Sequence, residues 1–191
     1  MRSGQDIYHP TIWRTCRALM NARRLACLSV VSETPGLSVG EIAQTAGVPE
    51  NQASINLRAL QARGLLAARR TGRCIRYFAE PDPLVKHATA VLAAVRVELR
   101  SGCVEELIGT LRAFTHSRRL TILRCLALQS GTTRETIVSR THISRPAVCR
   151  HLETLRRAGL VFSTKDGVWH LMARRRLSAL KRALLGLVES E

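Results

Sequence analysis

The feature that most constrains this chain is its likeness to itself. Residues 111–172 can be written beneath residues 16–77, an offset of 95, with no gap. Arg23-Arg24-Leu25 then meets Arg118-Arg119-Leu120, Leu28 meets Leu123, Gly36 meets Gly131, and Ile42 meets Ile137. Leu57 and Leu60 meet Leu152 and Leu155, Gly64-Leu65 meets Gly159-Leu160, and Gly72 meets Gly167. Between Arg17 and Leu66 about a quarter of the positions are identical. A chance match would not keep glycines, apolar stripes and turn in one register. The expectation is an internal duplication, so that the chain folds as two copies of one helical unit.

The best-marked stretch of that unit runs from Ser144 to Val161. Ser144 can cap a helix, and Pro146 sits in the first turn, where a missing N–H costs nothing. Val148, Leu152 and Leu155 fall at i, i+4 and i+7 and predict one buried stripe. Arg145, Cys149 and Arg150 lie toward the other side. Gly159 ends the helix, and Leu160-Val161 begin an extended segment.

The other elements follow the same rules. Apolar spacing predicts helices over Thr11–Asn21 and Arg23–Val31. Ser38-Val39-Gly40-Glu41 is a capping-box pattern opening a short helix through Thr45. A longer helix runs from Glu50 to Arg63, with Ala53, Leu57 and Leu60 inward. Leu65–Arg70 and Arg73–Phe78 read as strands around a Thr71-Gly72 turn. In the second copy Thr132-Thr133-Arg134-Glu135 offers a capping box, one residue earlier than the register demands, and Asp166-Gly167 offers a hairpin turn. Asp82 and Pro83 predict the start of a helix through Arg100. Val104–Thr115 opens the second copy, and Arg174 to about Val188 closes it with Leu177, Leu180, Leu184 and Leu187 on one face. No low-complexity linker separates the halves, so they should pack together.

Charge narrows the partner. The formal net charge is +16, from 30 basic and 14 acidic residues, and all but three of the basic residues are arginine. Such an excess favours a polyanion, and arginine's planar fork suits phosphate and guanine edges. With aromatics at 4%, the core must be built from Leu, Val, Ile and Ala. Met1–Asn21 holds no continuous apolar run, since Asp6, His9 and Pro10 interrupt it, and no stretch approaches the roughly 20 apolar residues of a membrane span. The expected location is cytoplasmic, with no membrane partner and reduced cysteines.

Three stretches carry a family resemblance: Arg119-Leu120-Thr121-Ile122-Leu123, Ile143 to Leu152, and Leu155-Arg156-Arg157-Ala158-Gly159-Leu160-Val161. In that order they resemble the winged helix-turn-helix of ArsR-type bacterial regulators, over about a third of the chain. By the repeat, the first unit resembles a divergent copy. The resemblance implies a mainly α fold with small β wings, as tandem winged helix-turn-helix domains over residues 11–102 and 103–191. Family members dimerise through their first and last helices. Two copies in one chain therefore imply an intramolecular pseudo-dimer, existing as a monomer or as a homodimer of such chains.

Double-stranded DNA is the expected partner, with RNA polymerase or a co-regulator beside it. In the second unit Ser144, Arg145 and Arg150 occupy the front of the longer helix, while Arg140 and Thr141 suit the phosphate backbone. In the first unit the same front carries Asn51, Gln52, Ser54 and Arg58, and Arg70 and Arg73 flank the wing tip. Pro49 stands where Ser144 does, Ile55 where Arg150 does, and Glu50 adds a negative charge. The two fronts should therefore read different sequences, as an asymmetric or imperfectly palindromic site. A winged-helix adaptor for proteins and a non-specific architectural DNA binder remain the alternatives.

No cofactor or metal is expected. The short helices, Val39–Ala43 and Arg134–Val138, hold no Cys or His, the closing helices lack a ligand set, and Cys149 and His151 do not face each other. None of the six cysteines forms a Cys-x-x-Cys pair, and a thiol switch at Cys16, Cys27, Cys103 or Cys125 is the weaker reading beside simple burial. Trp13 and Trp169 read as packing residues. No nucleotide loop or catalytic constellation can be assembled, so an enzyme is not expected.

Overall fold

A computed structural model describes residues 11–129 and 131–190 of the chain; Asp6, His9 and Pro10 lie outside them. In the N-terminal half, α1 (Ile12–Leu19), α2 (Ala22–Glu33), α3 (Val39–Ala46) and α4 (Glu50–Gln61) lead into an antiparallel hairpin. Its strands are β1 (Ala67–Thr71) and β2 (Cys74–Phe78), and α5 (Ala88–Ser101) follows. The C-terminal half runs α6 (Val104–Ala113), α7 (Ser117–Leu128), α8 (Arg134–Thr141) and α9 (Arg145–Arg157). A short hairpin, β3 (Val161–Ser163) and β4 (Trp169–Leu171), then leads to α10 (Ala179–Ser190). Helices α7, α8 and α9 begin at 117, 134 and 145, against 22, 39 and 50 for α2, α3 and α4.

Local chemistry explains most boundaries. The Asn21 side chain caps α2 by accepting from the Arg24 N–H at 3.0 Å. Ser38 and Glu41 form the full reciprocal box on α3, with the Ser38 N–H donating to Glu41 at 2.7 Å. Hydrogen bonds from Ser38, then the Arg76 charge, hold the Glu41 carboxyl below the usual range. Gly64 and Gly159 sit at φ 67° and 68° just past α4 and α9. Each lets the next N–H reach back, Leu65 to Leu60 O at 3.1 Å and Leu160 to Leu155 O at 3.0 Å.

Four details differ from the sequence expectation. Thr133, not Thr132, caps α8, accepting from the Thr136 N–H at 3.3 Å. Thr132 is instead drawn into a backbone bridge with Trp169. Ser144 stands at the start of α9 without a side-chain cap bond. Asp82 does not open α5; its carboxylate accepts from the Leu84 N–H at 2.9 Å in a local turn. The Asp82 N–H donates to Gly64 O, and Val85 packs so closely on Gly64 that a Cβ there would meet it at 2.8 Å. The chain is pinned to the end of α4, and α5 starts only at Ala88. The closing helix is likewise late: Arg174–Arg176 form a single 3-10 turn and Leu177 enters the core extended, before α10 begins.

The ungapped register also ends at the second hairpin. Leu37 bridges to Tyr77, whereas Thr132 bridges to Trp169, a span three residues shorter. Gly72 and Gly167 still occupy the two turns, both with positive φ.

One continuous cluster of buried apolar side chains runs through both halves. Helix α5 packs on α10, and α1 on α6. Val91, Leu92 and Val95 of α5 are buried, as are Leu180, Leu184, Leu185 and Val188 of α10. Glu98 of α5 accepts from the Leu180 N–H at 3.4 Å, filling one orphan donor of α10. The Arg124 side chain donates to Val188 O at 2.8 Å. Buried His87 bonds Thr15 at 2.8 Å, tying the start of α5 to α1.

Two strained or titratable points yield predictions. His142 is left-handed at φ 54°, where the N-terminal half places Gly47 at φ 64°. His142→Gly is expected to stabilise the fold by about 0.5–1 kcal/mol, the relief of strain exceeding the added chain entropy. Denaturant unfolding reads this, and a loss of stability would show that the His142 side chain earns its place by a contact.

The His116 and His151 rings meet at a tilt of 48°, with centroids 4.9 Å apart. Burial, then His116 and the arginines Arg119, Arg118 and Arg150, push His151 down to about 4. Burial, then Arg119 and Arg118, lower His116, whose Nδ1 caps α7 by accepting from the Arg118 N–H. Between about pH 6.5 and 4 the unfolded chain binds more protons at these rings than the folded one. Stability should therefore be complete above pH 6.5 and fall on acidification. His151→Gln should flatten melting temperature over that window; an unchanged pH profile would contradict this.

Candidate nucleic-acid interface

Helix α9 owes its direction to its back. Ala147, Val148, Leu152 and Leu155 are buried, which turns Arg145, Cys149 and Arg150 to solvent in the first two turns. Arg145 does not sweep freely, because Glu135 of α8 pairs with it at 3.2 Å. Both partners are well exposed, so the pair orients more than it stabilises. Further along, Glu153 is bracketed by Arg156 at 2.9 Å and Arg157 at 2.8 Å. Hydrogen bonds from these two arginines push its carboxyl down to about 2, so the one acid of α9 is already paired within the helix.

The remaining C-terminal candidates separate. Ser144 is exposed at the head of α9. Arg140 is exposed on the last turn of α8 and donates to the Gln129 side chain at 2.8 Å. Thr141 turns inward: its hydroxyl donates to Ile137 O at 2.6 Å and accepts from the Ile143 N–H at 3.4 Å. It serves the turn between α8 and α9, and its hydroxyl is committed there. Arg134, which the sequence reading passed over, is exposed at the start of α8 and lies 5.6 Å from the Trp169 ring centre. Its signal was its place directly after the cap, which the Thr132 assignment had displaced.

In the N-terminal half, α4 buries Ala53, Asn56, Leu57 and Leu60. Asn51 and Arg58 are exposed, Gln52 and Ser54 half-buried. The Asn51 carboxamide accepts from the Gln52 N–H at 2.7 Å, within its own first turn. Ile55 stands 55% exposed where α9 carries Arg150. Glu50 against Arg145, and Arg58 against Glu153, reverse the sign of charge at matching positions.

Strand pairing divides the hairpin arginines. Arg69 pairs across from Arg76, and Arg70 from Ile75. Arg76 reaches back to Gly36 O and to Glu41, each at 3.0 Å. Arg69 bonds Glu80 and lies over Phe78 at 4.5 Å. Arg70 donates to Gly72 O at 3.2 Å, bracing the tip, and Arg73 projects exposed from the tip itself. Two of these arginines are thus spent on acids of their own half, leaving Arg70 and Arg73 beside the turn.

Among the described residues no group of three or more His, Cys, Asp or Glu could hold a metal ion. All six cysteines are free thiols; Cys16, Cys27 and Cys125 are buried, and burial raises the Cys16 and Cys27 thiols. No helix among the described residues is long and apolar enough to cross a membrane.

Against known proteins, no curated sequence matches the chain. Residues 116–163 match the family model of the bacterial regulatory protein, arsR family. That match covers α7, α8, α9 and β3. The segment from His116 to Ser163 is thus similar to the helix-turn-helix of the arsR family of bacterial regulatory proteins.

Proposed function

We propose that the chain is a sequence-specific DNA-binding transcription regulator built as two winged-helix units, residues 11–102 and 103–191, packed as an intramolecular pseudo-dimer. The observation that carries this is the front of α9: a family-matched helix whose apolar back is buried and whose first two turns present Arg145 and Arg150. A helix of this kind enters a major groove with its N-terminal residues at the base edges. The recurrence of α2, α3 and α4 as α7, α8 and α9, and the packing of α5 on α10, support two readers in one chain.

The fronts are not equivalent, so the site is asymmetric. Arg145 and Arg150 suit guanine, whereas Asn51 suits adenine and Ile55 a thymine methyl. Arg73 and Arg140 lie where backbone phosphates would pass, and no enzymatic step is part of the proposal. A protein-binding role for the N-terminal half is the second reading, favoured by Ile55 and Ile75, both more than half exposed.

Selection of bound duplexes from a random pool tests the proposal. One enriched asymmetric sequence is expected; no enrichment would leave an adaptor or an architectural binder. On that duplex, Arg150→Ala and Arg145→Ala should each cost about 1–3 kcal/mol and relax one position. Fluorescence anisotropy with base-substituted duplexes reads both effects, and an unchanged preference would remove these residues from base readout. Affinity should also fall steeply from low to moderate salt. A flat salt response would contradict phosphate contacts.

A further inference from the structure

Two matching clefts lie at the backs of the two halves. One, about 480 Å³, opens between α1, α2 and the C-terminal end of α4. The other, about 440 Å³, opens between α6, the C-terminal end of α9 and α10. Arg17 in the first corresponds to Arg112 in the second, and Ala59 to Thr154. Their chemistry differs. The second is mixed, with Glu106 facing Arg112, Arg157 and Lys181. The first is lined by Arg14, Arg17, Arg24 and Arg63, with Trp13 beside them, and none of the described residues in its wall is acidic.

The matching pair Arg24 and Arg119 sharpens the contrast. Arg119 is satisfied by its own half: it donates to Ala113 O at 2.8 Å, to Arg112 O at 2.7 Å and to the Thr115 hydroxyl at 2.7 Å. Arg24 keeps only the first of these anchors, donating to Ala18 O. Met20 replaces the hydroxyl-bearing Thr115, and the Arg24 Nε is buried with no hydrogen-bond partner. Arg63 lies close enough that its charge, after burial, disfavours the Arg24 cation, and it acts on His87 in the same way. Guanidiniums sharing one cleft, with one donor unfilled, are what an anion would complete.

We infer that this cleft is a binding site for a small molecule carrying two or more phosphate-type charges. Arg24 and Arg63 supply the inner donors, Arg17 stands exposed at the mouth, and Trp13, half-buried at the rim, offers a flat apolar wall. The cleft touches α4 at Ala59, about 12 Å of helix from Asn51, and Arg63 lies just past the end of that helix. Its ligand is therefore a free polyanion rather than the duplex backbone.

The test is calorimetric titration of the full chain with inorganic pyrophosphate, without DNA. One saturable site per chain is expected. Arg24→Gln and Arg63→Gln should each weaken it about tenfold or more, while Arg112→Gln, in the other cleft, should leave it unchanged. Arg17→Gln alters an exposed side chain and keeps the test sound if Arg24→Gln unfolds; it too should weaken binding. Absence of a saturable site would overturn the inference, as would equal weakening by Arg112→Gln, which marks a general charge effect. A third overturning result is displacement of pyrophosphate by duplex with Arg63→Gln weakening the duplex equally, which would make the cleft a backbone seat. Because the titration contains no DNA, its outcome is independent of whether the helix fronts read a sequence.

Discussion

The packing of α5 against α10 is the contact on which the rest depends. Seven apolar side chains of these helices, Val91, Leu92, Val95, Leu180, Leu184, Leu185 and Val188, are buried. Each such burial contributes about 1.5–3 kcal/mol relative to exposure. The helices lie at the ends of the two halves, so the seam joins segments far apart in sequence. Glu98 meets the orphan Leu180 N–H across it, and α1 on α6 extends the same core. Each half hangs its shorter helices and its hairpin from this shared centre. The fronts of α4 and α9 are therefore placed by the core, not by a tether.

Similar backbones carry opposed chemistry. On α9 the acid Glu153 is silenced by Arg156 and Arg157, and Arg145 is aimed by Glu135. On α4 the matching positions hold Arg58 and Glu50, and Ile55 replaces Arg150. The N-terminal hairpin is rich in arginine, yet Arg69 and Arg76 are paired with Glu80 and Glu41. A count of positive charge thus overstates what that half can offer a phosphate. The back clefts differ too, for there the N-terminal half holds the Arg24 Nε with no hydrogen-bond partner.

Elements set by local rules were legible in the sequence. The Ser38–Glu41 box, the glycines after α4 and α9, and the Val148, Leu152 and Leu155 stripe follow from neighbours within one turn. What escaped depends on distant partners. Asp82 is held by the end of α4, Thr132 is claimed by Trp169, and the second hairpin is shorter by three residues. A spacing rule contains none of these. For the candidate interface, helical periodicity placed Arg145 and Arg150 outward. Closeness to the turn singled out Arg70 and Arg73 among the hairpin arginines, but no spacing rule shows that Thr141 spends its hydroxyl on Ile137 O. Arg24 and Arg119 align in sequence and differ only in what their neighbours leave unfilled.

The central claim is that one chain supplies both readers to one duplex. The number of chains on the selected duplex, measured by native mass spectrometry or sedimentation, tests it most directly. One chain per duplex is expected, with protection extending over two adjacent, unlike half-sites. Two chains per duplex on a symmetric site, each contributing only α9, would contradict it.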